Sequence, residues 1–65
     1  MRIFLNDDAH DIEPASLAVA LERLGFAGRR IATAVNGRFV AGAARAATAL
    51  ADGDRIEVVA PMQGG

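Results

Sequence analysis

The sequence predicts an α+β domain: one mixed sheet of four or five strands with a single helix laid across one face. Three observations predict it. The chain has 65 residues, enough for one hydrophobic core and no second. Its beginning, middle and end alternate apolar and polar residues with the period of two expected of half-buried strands. Only Leu17, Ala20, Leu21 and Leu24 follow the i, i+3, i+4, i+7 spacing of an amphipathic helix.

Residues 2–6 open the chain with Ile3 and Leu5 on one face and Arg2, Phe4 and Asn6 on the other. Asp7-Asp8 reads as a turn, and residues 9–13 return as a second strand. Pro14 ends that pairing because it has no N–H for the ladder. Ser16 is a suitable N-cap, its hydroxyl placed to accept from the first helical turn. Residues 17–24 form a helix of about two turns. Gly25 follows as its left-handed C′ residue, and Phe26 folds back onto the apolar stripe. Residues 27–30 are a loop. Residues 31–35 and 38–40 are strands joined by Asn36-Gly37, the strongest hairpin signal in the chain, because both residues tolerate positive φ. Residues 41–51 are alanine-rich and poorly patterned: a loop carrying a turn of helix, with Leu50 its one strong core candidate. Asp52-Gly53-Asp54 is a turn, and residues 55–59 are a last strand with Ile56 and Val58 inward. The first and last strands carry the strongest apolar signal and are expected near the centre of the sheet.

Composition excludes several function classes. With no cysteine, there can be no disulfide, thiolate nucleophile, iron–sulfur cluster or zinc finger. A single histidine excludes a histidine-rich metal site, so no metal ligands are assigned. Seven arginines face eight acids for a net charge of −1, which argues against a dedicated nucleic-acid binder. The 52% hydrophobic content is inflated by fifteen alanines, each adding little burial. No apolar run approaches the ~18 residues of a membrane span, and the stretch from Met1 to Asn6 is too short for a signal-peptide core. A cytoplasmic location without membrane contact is expected. So small a chain cannot enclose a substrate, and its chemistry is expected to take place against another protein.

The candidate site is Pro61-Met62-Gln63-Gly64-Gly65. Pro61 stops the last strand, dividing the chain into a domain of residues 1–60 and a flexible tail of residues 61–65. Fully extended, five residues reach ~16 Å. Gly64 and Gly65 lack Cβ atoms, so the pair can enter a channel too narrow for others, and the Gly65 carboxylate is unhindered. Such a group is a reagent for a partner enzyme. Its attack on the α-phosphate of ATP gives an acyl-adenylate, and a sulfur nucleophile then displaces AMP to leave a thiocarboxylate. The bland alternative is a frayed terminus, and a terminal glycine pair arises in roughly 1% of chains this rich in glycine.

Other residues admit plainer readings. Phe4 lies on the face opposite the helix, either as an ordinary surface aromatic or as a docking anchor with Val59 and Phe39. His10 reads as a hairpin-edge histidine, Asp52 and Asp54 as turn residues, and Arg29 and Arg30 as solvated loop charges. Gly25, Gly28, Gly37, Gly42 and Gly53 make no phosphate-cradling loop, so the chain is expected to bind no cofactor itself.

Ile3-Phe4-Leu5-Asn6, Ala34-Val35-Asn36-Gly37 with Val40, and the run from Leu50 through Asp52-Gly53-Asp54 and Val58-Val59 to Gly64-Gly65 carry a resemblance. The chain resembles the ubiquitin-like β-grasp sulfur carriers, most closely those of the ThiS type in thiamine (thiazole) biosynthesis. The resemblance spans essentially the whole chain and is specific in its last sixteen residues. It implies a β-grasp fold and a carrier that is itself no enzyme. An E1-like adenylyltransferase of the ThiF type, using ATP and magnesium, would adenylate Gly65. A cysteine desulfurase or other persulfide donor would supply sulfur, and thiazole synthase of the ThiG type would take it from the thiocarboxylate. Gly64, Gln63 and Met62 would give the tail access. Ala41-Gly42-Ala43-Ala44-Arg45 departs from the family pattern, where relatives often carry a proline, polar residues and a tryptophan. Three alternatives stay open: the small subunit of molybdopterin synthase, a ubiquitin-like modifier of other proteins, and a plain β-grasp binding module.

Overall fold

The computed structural model describes residues 1–13 and 16–60. Pro14 and the whole expected tail, including Met62, Gln63, Gly64 and Gly65, lie outside the described residues. Five strands, one α-helix and one 3-10 helix follow in the order β1 (Arg2–Leu5), β2 (Asp8–Asp11), α1 (Leu17–Arg23), β3 (Ala32–Val35), β4 (Arg38–Val40), the 3-10 helix (Gly42–Ala47) and β5 (Arg55–Val59). The strands form one sheet in the order β2-β1-β5-β3-β4. β1 and β5 are parallel, whereas β1–β2, β3–β4 and β3–β5 are antiparallel. The mixed sheet with its single α-helix is the β-grasp arrangement, with β5 at the centre and β1 beside it.

Both hairpins turn on two residues. Asn36 and Gly37 have φ of 52° and 82°, the left-handed pair that a tight turn needs to match strand twist. The first hairpin turns one residue earlier than Asp7-Asp8: Asn6 and Asp7 have φ of 47° and 74°. Leu5 therefore faces Asp8, and β2 runs Asp8–Asp11 instead of residues 9–13. Asn, Asp and Asp are all turn formers, and a contact from Asn6 to a distant strand selects between them. The Met1 ammonium ties the open end of this hairpin to Asp11 at 3.5 Å and to Glu13. Hydrogen bonding to Glu13 raises that ammonium above its ordinary pKa.

The helix is framed as its sequence requires. Ser16 Oγ accepts from the Val19 N–H at 3.3 Å, satisfying one free donor of the first turn. At the other end Leu24 caps the helix, so α1 closes at Arg23, a residue short of the apolar stripe. Gly25 takes φ of 93°. Its N–H reaches the Glu22 carbonyl at 3.2 Å while the Phe26 N–H reaches Leu21 at 2.8 Å, the paired bonds of a Schellman ending.

Ile3, Leu17, Ala20, Leu21, Leu50, Ile56 and Val58 form the buried core, with Leu5, Leu24, Phe26, Ile31 and Val40 among the half-buried side chains packed on it. Leu50 is the core contribution of the alanine-rich segment, as its sequence suggests. The rest of that segment is secured by a polar device. Arg45 Nε donates to Thr33 Oγ1 at 3.0 Å and its Nη2 to the Ile31 carbonyl at 2.7 Å. Thr33, itself buried, donates its hydroxyl hydrogen bond to the Val40 carbonyl at 2.8 Å. β3 begins at Ala32, one residue later than the apolar pattern suggests, and the Ile31 carbonyl is spent on this contact.

Candidate functional site

β5 is the strand from which residues 61–65 depart, and two asparagines hold it. At its start the Arg55 N–H donates to Asn36 Oδ1 at 3.0 Å, and the Asn36 N–H donates to the Arg55 carbonyl at 2.7 Å. Toward its end β1 has already turned away, so the ladder on that side stops. The Asn6 side chain takes over: its Oδ1 accepts from the Val58 N–H at 3.0 Å and its Nδ2 donates to the Val58 carbonyl at 3.2 Å. One amide thus imitates a strand partner for the last core residue before the tail.

Neither role is visible from local sequence, where Asn6 ends a strand and Asn36 makes a turn. The signal available was the residue type. Asn is the turn former that tolerates positive φ and also carries both a donor and an acceptor. Asn6→Gly keeps the backbone conformation and removes only the side chain. It is expected to cost about 2 kcal/mol for two net hydrogen bonds, or roughly 8–16 °C in Tm for a domain of this size. Thermal unfolding measures it; a Tm within about 3 °C of the parent would remove Asn6 from this account.

The turns and loops take the roles their residue types suggest. Asp52 Oδ1 accepts the Arg2 N–H at 2.6 Å, and Asp54 accepts from Ala51 N–H and from Asn36 Nδ2 at 2.8 and 3.0 Å. His10 is half-buried on the edge strand β2, opposite Ile3. Arg29 and Arg30 are exposed, with the Arg29 guanidinium 5.7 Å from the centre of the Phe26 ring. Among the described residues no group of three or more His, Asp and Glu side chains could hold a metal ion, and no helix is long and apolar enough to cross a membrane.

Among the described residues nothing covers the face away from α1. Alternation places Phe4 of β1, Arg55, Glu57 and Val59 of β5, Ala32 and Ala34 of β3, and Phe39 of β4 on it. Ala34 faces both Phe39 and Glu57, and Ala32 faces Val59. Phe39 and Val59 are 73% and 63% exposed, a large apolar display for a domain whose core holds seven side chains. They line one shallow depression of about 180 Å³ with Ala32, Thr33, Ala34 and Glu57. Phe4 is half-buried and lines a different depression, with Asp7, Gly53 and Arg55. Phe4 faces Arg55 across β1–β5, so the charged column of Arg55 and Glu57 stands between it and Phe39. The structure brings Phe39 and Val59 together and sets Phe4 apart. Gly65, Gly64, Gln63 and Met62 lie beyond the described residues, and Ala60 is the last position that the structure places.

Comparison with known proteins agrees with this geometry. The model of the ThiS family matches residues 3–65. The crystal structure of the thiamine biosynthesis protein ThiS from Geobacter metallireducens is similar at a TM-score of 0.83 and 26% sequence identity, with 100% of both chains covered. Curated proteins give no significant match. A match over nearly the whole chain, together with the shared five-stranded fold, places this chain in a family: it belongs to the ThiS family.

Proposed function

We propose that the chain is a sulfur carrier for thiamine biosynthesis, a co-substrate of other enzymes, with the Gly65 carboxylate as its working group. The observation that carries the reading is the family match, which continues through the glycine pair to residue 65. The fold is consistent with it: β5, the strand that precedes residues 61–65, is held by the asparagine amides of Asn36 and Asn6.

The chemistry follows from a carboxylate on a slim arm. A Gly65 oxygen attacks the α-phosphorus of ATP in the pocket of an E1-like adenylyltransferase of the ThiF type, and pyrophosphate leaves with magnesium. The acyl-adenylate is a mixed anhydride, so the terminal sulfur of a persulfide, supplied by a cysteine desulfurase or a similar donor, displaces AMP. A thiol then cleaves the acyl disulfide and leaves a thiocarboxylate. Thiazole synthase of the ThiG type accepts that sulfur. The narrowness of Gly64, with Gln63 and Met62 as spacer, lets the arm enter each pocket without moving the domain.

Docking falls to the open sheet face. Phe39 and Val59 supply an apolar anchor next to the tail's origin, and aromatic residues dominate the energetics of such contacts. Phe39→Ala removes a side chain that touches no core residue, so stability should stay within about 0.5 kcal/mol. It should raise the adenylyltransferase's KM for the carrier by about tenfold or more, the effect of losing 1.4 kcal/mol of binding. Steady-state ATP–pyrophosphate exchange measures it; an unchanged KM removes this face from the interface. A pull-down with candidate acceptors tests the pathway. Retention of thiazole synthase supports the reading, and retention of the large molybdopterin synthase subunit instead redirects it.

A further inference from the structure

The charges of this chain are unevenly placed. Six of its eight acids lie at Asp7, Asp8, Asp11, Glu13, Asp52 and Asp54, around the first hairpin and the turn before β5. Arg55 lies among these acids, 3.7 Å from Asp7, and Arg23 donates to the Glu13 carbonyl, whereas Arg29 and Arg45 line a groove elsewhere. Val59 faces Ala32 across β5–β3, so the chain leaves the sheet beside Ile31, the residue preceding Ala32. The Ile31 carbonyl is held by Arg45, and Arg29 and Arg30 precede it in sequence. The Arg45 guanidinium is thus fixed beside the residue that precedes Ala32, the partner of Val59.

Between α1 and the 3-10 helix runs a groove of about 290 Å³. Leu21, Phe26 and Ile31 give it an apolar floor, while Arg29, Arg45 and Glu22 supply its charges. Arg45 spends Nε and Nη2 on Thr33 and Ile31, which leaves Nη1 lying beside Gly42 and gives the guanidinium a fixed position. Among the described residues, ion pairs form only at Met1 and between Arg55 and Asp7. No described carboxylate forms an ion pair with Arg29, Arg30 or Arg45, although Glu22 lines the same groove. The larger depression near Asp7 and Asn36 is different, because its Arg55 already faces Asp7 at 3.7 Å.

We propose that this arginine-rimmed groove, at the root of the tail, receives an acidic segment of the adenylylating enzyme, with a carboxylate between Arg29 and Arg45 and an apolar side chain on Phe26 and Ile31. The proposal rests on the reading that Gly65 is adenylated, and it adds a second contact on the flank of the domain opposite the Phe39–Val59 face. Its physical purpose is alignment. A carboxylate bridging two guanidinium groups, one of them braced, fixes orientation as well as position, and attraction to these positive charges speeds productive encounter.

The test is the double variant Arg29→Glu/Arg30→Glu, at two exposed positions in the loop before β3, assayed by ATP–pyrophosphate exchange with the purified adenylyltransferase of the same organism. Wild-type KM for the carrier should rise with salt across roughly 50 to 300 mM, as surface attraction is screened. The variant should show a KM about tenfold higher at the low-salt end, a flattened salt dependence, unchanged kcat at saturation and an unchanged melting temperature. Asp8→Arg, on the first hairpin, should leave KM unchanged. If the variant matches wild type in KM and salt dependence while both are adenylated, the groove contact is overturned and the reading of Gly65 stands. If wild type itself supports no exchange, that reading falls and takes this contact with it.

Discussion

Deleting Gly65 is expected to lower adenylation by at least about 100-fold while leaving the fold intact. The deletion leaves a glycine carboxylate at the new terminus, so the chemical group survives and only its reach changes. One residue of extended chain is about 3.5 Å. A nucleophile displaced that far cannot contact the α-phosphorus, and displacement by even ~1 Å commonly costs about 100-fold in rate. The domain of residues 1–60 should melt at the same temperature, because the core side chains all lie between Ile3 and Val58. Exchange assays with wild type and the deletion measure the ratio. Near-equal rates would mean that the arm has slack or that activation occurs elsewhere.

Ile56→Ala should unfold a large fraction of the molecules. Ile56 is 1% exposed on the central strand β5, and truncating a buried isoleucine costs about 2–5 kcal/mol. A domain of 65 residues has a total stability of roughly 3–10 kcal/mol, so this single change removes a substantial share of it. Expected readouts are a fall in Tm of at least about 8 °C and a urea midpoint near the start of the titration. Ile56→Val, losing one methyl group, should cost only about 1 kcal/mol. Because β5 carries the tail, the unfolded fraction should fail as a carrier although residues 61–65 are unchanged. A fall of less than about 4 °C for Ile56→Ala would show that the core repacks around the cavity.

What could be read from the sequence was what depends on local chemistry. Asn36-Gly37 is a turn wherever it occurs between strands, Ser16 caps and Gly25 ends the helix for reasons contained in each residue, and alternation alone turns Ile56 and Val58 inward. The apolar signal of the first and last strands pointed to the centre of the sheet, where β1 and β5 lie, but no single element showed that β3 stands on the other side of β5. Longer-range choices were hidden. Asn6-Asp7-Asp8 permits two hairpin registers, and the amide of Asn6, bonding 52 residues away at Val58, accompanies the one that forms. The alanine-rich segment has no periodicity because it is held by Arg45 on Thr33 and Ile31, a polar strut with no pattern to detect. Alternation puts Phe4, Phe39 and Val59 on one face. It says nothing of the Arg55–Glu57 column that separates Phe4 from the other two, since that depends on which strands are neighbours.

The central claim is that sulfur is carried as a thiocarboxylate at Gly65, and intact mass tests it most directly. Protein purified from its native host, or incubated with ATP, magnesium, the adenylyltransferase and a persulfide donor, should gain ~16 Da as one oxygen is replaced by sulfur. Tandem fragmentation should place the gain on the Gly64-Gly65 fragment. A mass that stays unchanged with every component present, or a gain located within residues 1–60, would contradict the account.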